Sequence, residues 1–129
     1  MEGVEVHLLQ NLHQLMMWQD NYMAQYTKKQ WLTDEYYFRK KWFTTYGDTA
    51  STHCDNLTLG GYSNWRIPSE TEFNALNDYS FTHMAEGSYW TSTVSWFYEN
   101  QQRITAKGTS TVMGEASLKD WEHYVRCVR

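Results

Sequence analysis

The spacing of apolar positions predicts two helices in the middle of the chain. Ala50, Cys54 and Leu57 recur at i, i+4 and i+7, which places them on one face of a helix. Asp48 stands where a side chain can cap the start of that helix, and Gly60-Gly61 stands where a helix would stop. The first predicted helix therefore lies between Asp48 and the glycine pair, with Cys54 on its buried face.

A capping box predicts the second helix. Ser69 and Glu72 have the spacing at which the two side chains each accept a hydrogen bond from a backbone N–H at a helix start. Phe73 and Leu76 follow at the spacing of a buried stripe, and the pattern ends near residues 77–78. This is the clearest local signal in the sequence.

Extended segments are predicted on both sides of the helices. The apolar run within residues 4–18, which ends at Asp20-Asn21, predicts a strand leading into a turn, with a short helix over 7–17 as the alternative. After Gly87 the chain is rich in rings and Thr, which favour β structure. The other extended segments predicted are 65–68, 88–94, 103–106, 109–113 and 124–128. Because helices and strands are segregated along the chain, the pattern indicates an α+β fold with an antiparallel sheet.

The length and composition predict a single domain whose core is built largely from aromatic rings. The 129 residues include seven Trp, ten Tyr and five Phe, a content that excludes disorder. The net charge of −4 argues against nonspecific nucleic-acid binding, since that requires many Lys and Arg. A basic, aromatic stretch over 27–46 resembles a polyanion surface, but Asp34 and Glu35 offset its charge and a core role is favoured. The sequence contains no run of eighteen apolar residues, so no membrane span is predicted. The first residues lack the pattern of a secretory signal.

The residue types that carry catalysis do not form a recognisable set. The five histidines are scattered, Cys54 and Cys127 form no CxxC pair, and neither a metal nor a cofactor is expected. Glu70 and Glu72 lie two apart on a predicted helix, so they face different directions and make a poor acid–base pair. Cys54 with His53 as its base is disfavoured for the same geometric reason. The sequence favours a protein without enzymatic activity.

Rings next to amides and charged groups suggest a recognition surface after the first strand of the sheet. Rings can stack on sugar or peptide faces, and amide and charged groups fix the orientation of a ligand. The alternative for any single ring is that it completes the aromatic core. The predicted ligand-binding residues are Trp96, Tyr98, Asn100, Gln102, Arg103 and Trp121.

Four blocks of sequence resemble one bacterial family. The blocks are residues 15–21 (LMMWQDN), 54–68 (CDNLTLGGYSNWRIP), 89–93 (YWTST) and 124–129 (YVRCVR). In this order they resemble the DUF1566 family, also called the C-terminal domain of the Legionella collagen-like adhesin, over roughly residues 15–129. The resemblance implies a fold similar to C-type lectins and formylglycine-generating enzymes, with two helices flanking a small antiparallel sheet and the terminal strands close together.

The resemblance also implies roles for particular residues. It implies a disulfide between Cys54 and Cys127, which leaves no cysteine pair for the copper chemistry of formylglycine-generating enzymes. The only proline is Pro68, so the Glu-Pro-Asn or Gln-Pro-Asp triplet of calcium-binding lectins is absent. The residues expected to serve the scaffold are Gly60 and Gly61 as a turn, Trp65 and Trp90 as core rings, Pro68, Glu72 as a helix cap, and Arg66 in a buried ion pair with an acid of the second helix.

The function expected from the resemblance is recognition outside the cytoplasm, in the periplasm, at the cell surface or after secretion. The ligand would be a glycan or a surface protein, bound by the loop region after the first strand of the sheet. The alternative is a structural component of a bacterial surface complex, such as a pilus, a secretion machine or an adhesion complex, which binds a partner protein.

Overall fold

The described residues form a five-stranded sheet, two two-stranded sheets (β1-β2 and β4-β5) and two short helices. The structure is a computed structural model, which describes residues 5–11, 14–31, 33–34, 43–44, 48–76, 81–95, 101–107 and 114–129. The strands are β1 (Val6–Asn11), β2 (Gln14–Gln19), β3 (Lys28–Gln30), β4 (Thr33–Asp34), β5 (Phe43–Thr44), β6 (Gly87–Val94), β7 (Gln101–Lys107), β8 (Gly114–Leu118) and β9 (Glu122–Tyr124). The helices are α1 (Ala50–Asp55) and α2 (Glu70–Asn74), and a 3-10 helix spans Tyr22–Tyr26. The fold is α+β, as the sequence predicts.

The central sheet has the strand order β3-β9-β6-β7-β8. Neighbouring strands run antiparallel except β6 and β9, which are parallel and pair at Tyr89 and Tyr124. The predicted antiparallel sheet is therefore a mixed one. The exception arises because β9 does not extend the sheet beyond β8 but inserts between β3 and β6.

The N-terminal apolar run forms two strands where one was predicted, and the alternative helix over 7–17 is wrong. β1 and β2 pair as an antiparallel hairpin in which Trp18 and Met16 point into the core while Leu15 is exposed. This alternation is the period of a strand. Met17 N–H donates to the Arg129 carbonyl at 2.8 Å, and Arg129 N–H donates to the Met17 carbonyl at 2.9 Å. The first and last segments of the chain therefore lie side by side.

α1 starts and ends differently from its prediction. Thr49, not Asp48, is the N-cap, and it forms a reciprocal box with Thr52. The Asp48 carboxylate instead pairs with Lys29. The helix ends at Asp55, so the glycine pair does not stop it. Gly60 and Gly61 have φ of 61° and 80° in the reverse turn that joins Leu59 to Tyr62, a conformation that favours glycine.

α2 follows its capping signal closely. The Ser69 hydroxyl accepts from Glu72 N–H at 3.1 Å, and a Glu72 carboxylate oxygen accepts from Ser69 N–H at 2.8 Å. Phe73 is fully buried. The helix ends at Asn74, about one turn before residues 77–78.

The later strands agree only in part with their predictions. β6 covers the predicted strand 88–94, and β7 is longer than the predicted 103–106. β8 was not predicted, and the predicted strand 109–113 lies outside the described residues. A strand over 124–128 is wrong, since β9 ends at Tyr124. Residues 125–128 are all buried, so they do not alternate like a half-exposed strand, and Val128 bridges to Trp18 and Arg66.

Two clusters of rings and aliphatic side chains form the core. Trp65 and Trp90 lie in the first, which also holds the disulfide of Cys54 and Cys127, with an S–S distance of 2.04 Å. The second contains Met16, Trp18, Phe73, Phe81, Tyr89 and Val128. The disulfide fastens α1 to the C-terminal segment.

Candidate functional site

An exposed tryptophan marks one end of the central sheet. Trp121 follows β8 and is 60% exposed. Leu118 pairs with Gln101, so the turn that carries Trp121 begins beside the first residue of β7. The sequence predicts ligand binding in the segment that leads into β7. Trp96, Tyr98 and Asn100 belong to that prediction and lie outside the described residues.

Trp121 stands on the wall of an open groove of about 400 Å³, which we call the Trp121 groove. The groove is lined by Ser88, Gln101, Ile104, Glu115, Ala116, Ser117, Leu118, Trp121 and His123. Hydroxyl, amide, imidazole and carboxylate groups therefore share one concave surface with an exposed indole. A ligand with an apolar face and several hydrogen-bonding groups suits this lining.

His123 is held in the groove by two neighbours. Its Nε2 lies 2.7 Å from the Ser117 hydroxyl, and its ring meets the Trp90 ring edge-on with centroids 4.7 Å apart. Burial lowers the pKa of His123 below 6.5, and the positive charge of Lys28 lowers it further. The imidazole is therefore mainly neutral at pH 7, with one donor and one acceptor nitrogen, and its Nε2 is already engaged by Ser117.

The Ser117–His123 pair has the distance of a nucleophile and its base, but the serine proton has a second acceptor. The Ser117 hydroxyl also lies 3.2 Å from the Leu118 carbonyl and can donate its single proton there. In that arrangement His123 Nε2 carries the proton and donates to Ser117, so it cannot act as a base. Ser117 is also only 6% exposed, which restricts access to its oxygen. In that arrangement the pair fixes the imidazole rather than activating the serine.

Gln102 does not line the groove, although the sequence assigns it to the binding set. It is 2% exposed, and its amide donates to the carbonyls of Thr91 and Thr93 at 2.8 and 2.7 Å. The register of β6 against β7 shifts between Trp90 and Val94, and Gln102 bonds to carbonyls within that irregularity. A buried amide with this role is closed to a ligand, so the binding assignment of Gln102 is corrected to a structural one.

Arg103 lies on the α2 side of the sheet. Its Nε donates to Glu70 at 3.0 Å, so it joins β7 to α2. Among the predicted binding residues that the structure describes, Trp121 is the one that lines the groove. Glu115 and Ser117 were missed because β8 was not predicted, and His123 of β9 was missed because the five histidines are scattered along the sequence. A strand over 114–118 would have placed Glu115 and Ser117 on one face.

The Arg66 ion pair has the predicted partner but a different environment. Arg66 donates to both carboxylate oxygens of Glu72 at 2.8 Å, and its side chain is 47% exposed. The expectation of a buried pair is therefore wrong for Arg66. The buried arginine is Arg126, which the sequence did not single out.

Two further observations bear on the type of site. Within the described residues, no group of three or more His, Cys, Asp or Glu side chains is placed to hold a metal ion. In the same part of the chain, no helix is long and apolar enough to cross a membrane.

Comparison with known proteins links the chain to one family. The family model described as the Lcl C-terminal domain matches residues 7–129. No curated protein and no solved structure matches the chain.

Proposed function

The chain belongs to the Lcl C-terminal domain family, and we propose that it is a non-enzymatic bacterial recognition domain that binds a glycan in the Trp121 groove. The family is one of adhesin-type domains found at surfaces. The observation that carries the proposal is the indole of Trp121, 60% exposed on the wall of a groove lined with polar groups.

The chemistry of the groove suits a sugar. Exposure of an indole ring to water is unfavourable in free energy unless a partner covers the ring. The apolar face of a sugar ring can cover it. Gln101, Glu115 and His123 offer an amide, a carboxylate and a neutral imidazole to hydroxyl groups. The fixed imidazole needs no reordering when the ligand binds, which favours affinity.

We place the domain outside the cytoplasm. Its two cysteines form a disulfide, a bond that persists in oxidising compartments and is rare in the cytosol. Family membership supports the same location. The fold that we propose is lectin-like, supported by the pairing of the first and last segments and by the two short helices that precede β6.

A glycan array with the whole domain tests the proposal. Trp121→Ala removes the exposed ring, and we expect it to abolish the array signal while leaving the melting temperature within a few degrees. Leu8→Ala is the matched control, because Leu8 is 58% exposed and lies in the N-terminal hairpin. If Trp121→Ala and Leu8→Ala bind as the unchanged domain does, or if no glycan binds, the proposal is wrong.

A second candidate is a part of a bacterial surface complex that binds a partner protein. It is supported by Tyr22, Met23 and Tyr26, each 58% exposed on the 3-10 helix. This helix precedes β3 at Lys28, whereas Gln30 pairs with Glu122 next to Trp121, so the patch lies at the opposite end of the sheet. Sedimentation of the domain distinguishes the two functions: concentration-dependent association abolished by Met23→Lys favours the assembly function, and a monomer favours the glycan function.

A further inference from the structure

A second cleft lies near the Trp121 groove, between α1, the segment before α2 and the end of β6. Its volume is about 280 Å³, and we call it the Arg66 cleft. It is lined by Trp31, Ser51, Asp55, Arg66, Ile67 and Ser92. An indole, two hydroxyl groups, a carboxylate and a guanidinium thus face one small space.

The walls of the Arg66 cleft are fixed before any ligand arrives. Arg66 is held by the two-pronged bond to Glu72, whose carboxylate is held in turn by Ser69 N–H. Ser92 N–H donates to the Pro68 carbonyl at 2.9 Å, which fastens β6 to the segment before α2. The disulfide of Cys54 anchors α1. Binding therefore costs little ordering of the protein.

The charges of the cleft select the ligand. Glu72 neutralises Arg66, and no hydrogen bond or ion pair from another described residue engages the exposed Asp55 carboxylate. Asp55 is the last residue of α1, the end of a helix where a negative charge does not stabilise it. Among the described residues, the cleft therefore carries one uncompensated negative charge. It favours hydroxyl or ammonium groups and disfavours sulfate and carboxylate groups.

Rings connect the two sites. Trp31 lines the Arg66 cleft and contacts Trp90 at 5.7 Å between centroids, and Trp90 in turn contacts His123 of the Trp121 groove. Trp31 N–H donates to the Lys119 carbonyl at 2.8 Å, two residues before Trp121. Both sites therefore lie close together.

We propose that the Arg66 cleft is a second sugar subsite, so that the ligand is an oligosaccharide of uncharged or amine-bearing units that occupies the Trp121 groove and the Arg66 cleft together. The inference rests on the proposed glycan function and deepens it. Asp55 accepts hydrogen bonds from hydroxyl or ammonium groups of one unit, Arg66 donates from the N–H groups that neither Glu72 nor the Ile67 carbonyl uses, and Trp31 covers an apolar ring face.

Calorimetry with short and long sugars tests the inference. The probes are the dimers and hexamers of N-acetylglucosamine and glucosamine, maltose with maltohexaose, and a heparin hexasaccharide. We expect at least one uncharged or amine-bearing hexamer to bind more tightly than its dimer. Asp55→Asn removes a charge-assisted bond and should weaken that hexamer tenfold or more while changing its dimer less than twofold.

Glu5→Gln is the matched control for charge. Glu5 is exposed just before β1 and lines neither the Arg66 cleft nor the Trp121 groove, so its replacement should leave hexamer binding unchanged. Trp121→Ala should weaken both dimer and hexamer.

The outcomes separate the two proposals. If Trp121→Ala abolishes binding but Asp55→Asn leaves the hexamer unaffected, or if dimer and hexamer bind equally, the second subsite is wrong and the glycan function stands. If the heparin hexasaccharide binds more tightly than every uncharged or amine-bearing hexamer, the charge argument is wrong. If none of the probes binds, both proposals fail.

Discussion

Two arginines hold the C-terminal segment in place, one by burial and one at the surface. Arg126 and Asp20 are both fully buried, with 3.6 Å between the guanidinium and the carboxylate. Arg66, whose backbone pairs with Val128, binds Glu72 at 2.8 Å with its side chain 47% exposed. The shorter, better aligned pair is the exposed one.

The difference shows that the buried charges depend on the backbone more than on each other. Arg126 donates to the carbonyls of Gln19 and His83 at 2.9 and 2.6 Å, and its guanidinium lies 4.9 Å from the Phe81 ring. Its Nε finds no acceptor among the described residues, and burial lowers its pKa.

Asp20 is satisfied from several directions at once. Its carboxylate accepts from the backbone N–H groups of Thr82 and His83, both at 2.8 Å, and bonds to His7 at 2.6 Å. The two buried side chains thus tie the N-terminal hairpin to residues 82–83 and to the C-terminal segment. Removing either leaves polar groups that water cannot reach.

The largest effect is therefore expected from Arg126→Ala. Breaking a buried ion pair on one side costs about 3–5 kcal/mol of the free energy of unfolding, since Asp20 keeps a buried charge. Urea unfolding followed by circular dichroism measures the loss. Arg129→Ala is the control, because Arg129 is exposed and stacks on Tyr62 at the surface. A loss under 1 kcal/mol for Arg126→Ala would remove the distinction between the two arginines.

The disulfide gives the next effect. Replacing both Cys54 and Cys127 by Ala should lower the free energy of unfolding by about 4 kcal/mol in the loop-closure argument, since 73 positions separate the cysteines. Alkylation without reductant should add no label to the unchanged protein. Two labels on the native protein would contradict the disulfide and its support for a location outside the cytoplasm.

Local signals in the sequence identified what depends on a few neighbouring residues. Ser69 and Glu72 are three residues apart, so their capping box is visible in the letters and exists in the structure. The same holds for β6, whose β-forming residues are consecutive. The link between Cys54 and Cys127 came from resemblance, because distance along the chain does not specify a pairing.

What the sequence could not show depends on distant contacts. No pattern in the sequence links Asp20 to Arg126, because 106 positions separate them and their partners are backbone groups. The Trp121 groove was missed for a related reason. Its wall is β8, a strand of only five residues whose Gly, Glu, Ala and Ser have low β propensity. Pairing with β7, rather than local preference, makes it a strand.

A smaller change in the free energy of unfolding is expected from loss of the capping box that holds Glu72, the partner of Arg66. Ser69→Ala removes the N-cap of α2, and we expect it to cost about 1 kcal/mol of the free energy of unfolding. Ser63→Ala is the matched control, because Ser63 is exposed in the segment after the glycine turn. An equal effect of both substitutions in thermal melts would show that the capping box does not stabilise α2.

The smallest change in the free energy of unfolding is expected from loss of the exposed Arg66–Glu72 pair. The pH dependence of this change identifies its cause. Arg66→Ala should cost less than about 1 kcal/mol, as exposed ion pairs do.

The hydrogen bonds from Arg66, followed by that from Ser69 N–H, lower the pKa of Glu72 below 4.5. A carboxyl whose pKa is lowered by folding stabilises the protein above its ordinary pKa, and this contribution disappears as the pH falls through the lowered value. Urea unfolding of the unchanged protein and of Glu72→Gln should therefore converge as the pH falls from 6 to 3. In an Arg66→Ala background the convergence should be smaller, because only the bond from Ser69 N–H remains. If the convergence is equally large without Arg66, the surface pair contributes nothing to stability, and the capping box alone sets the pKa of Glu72.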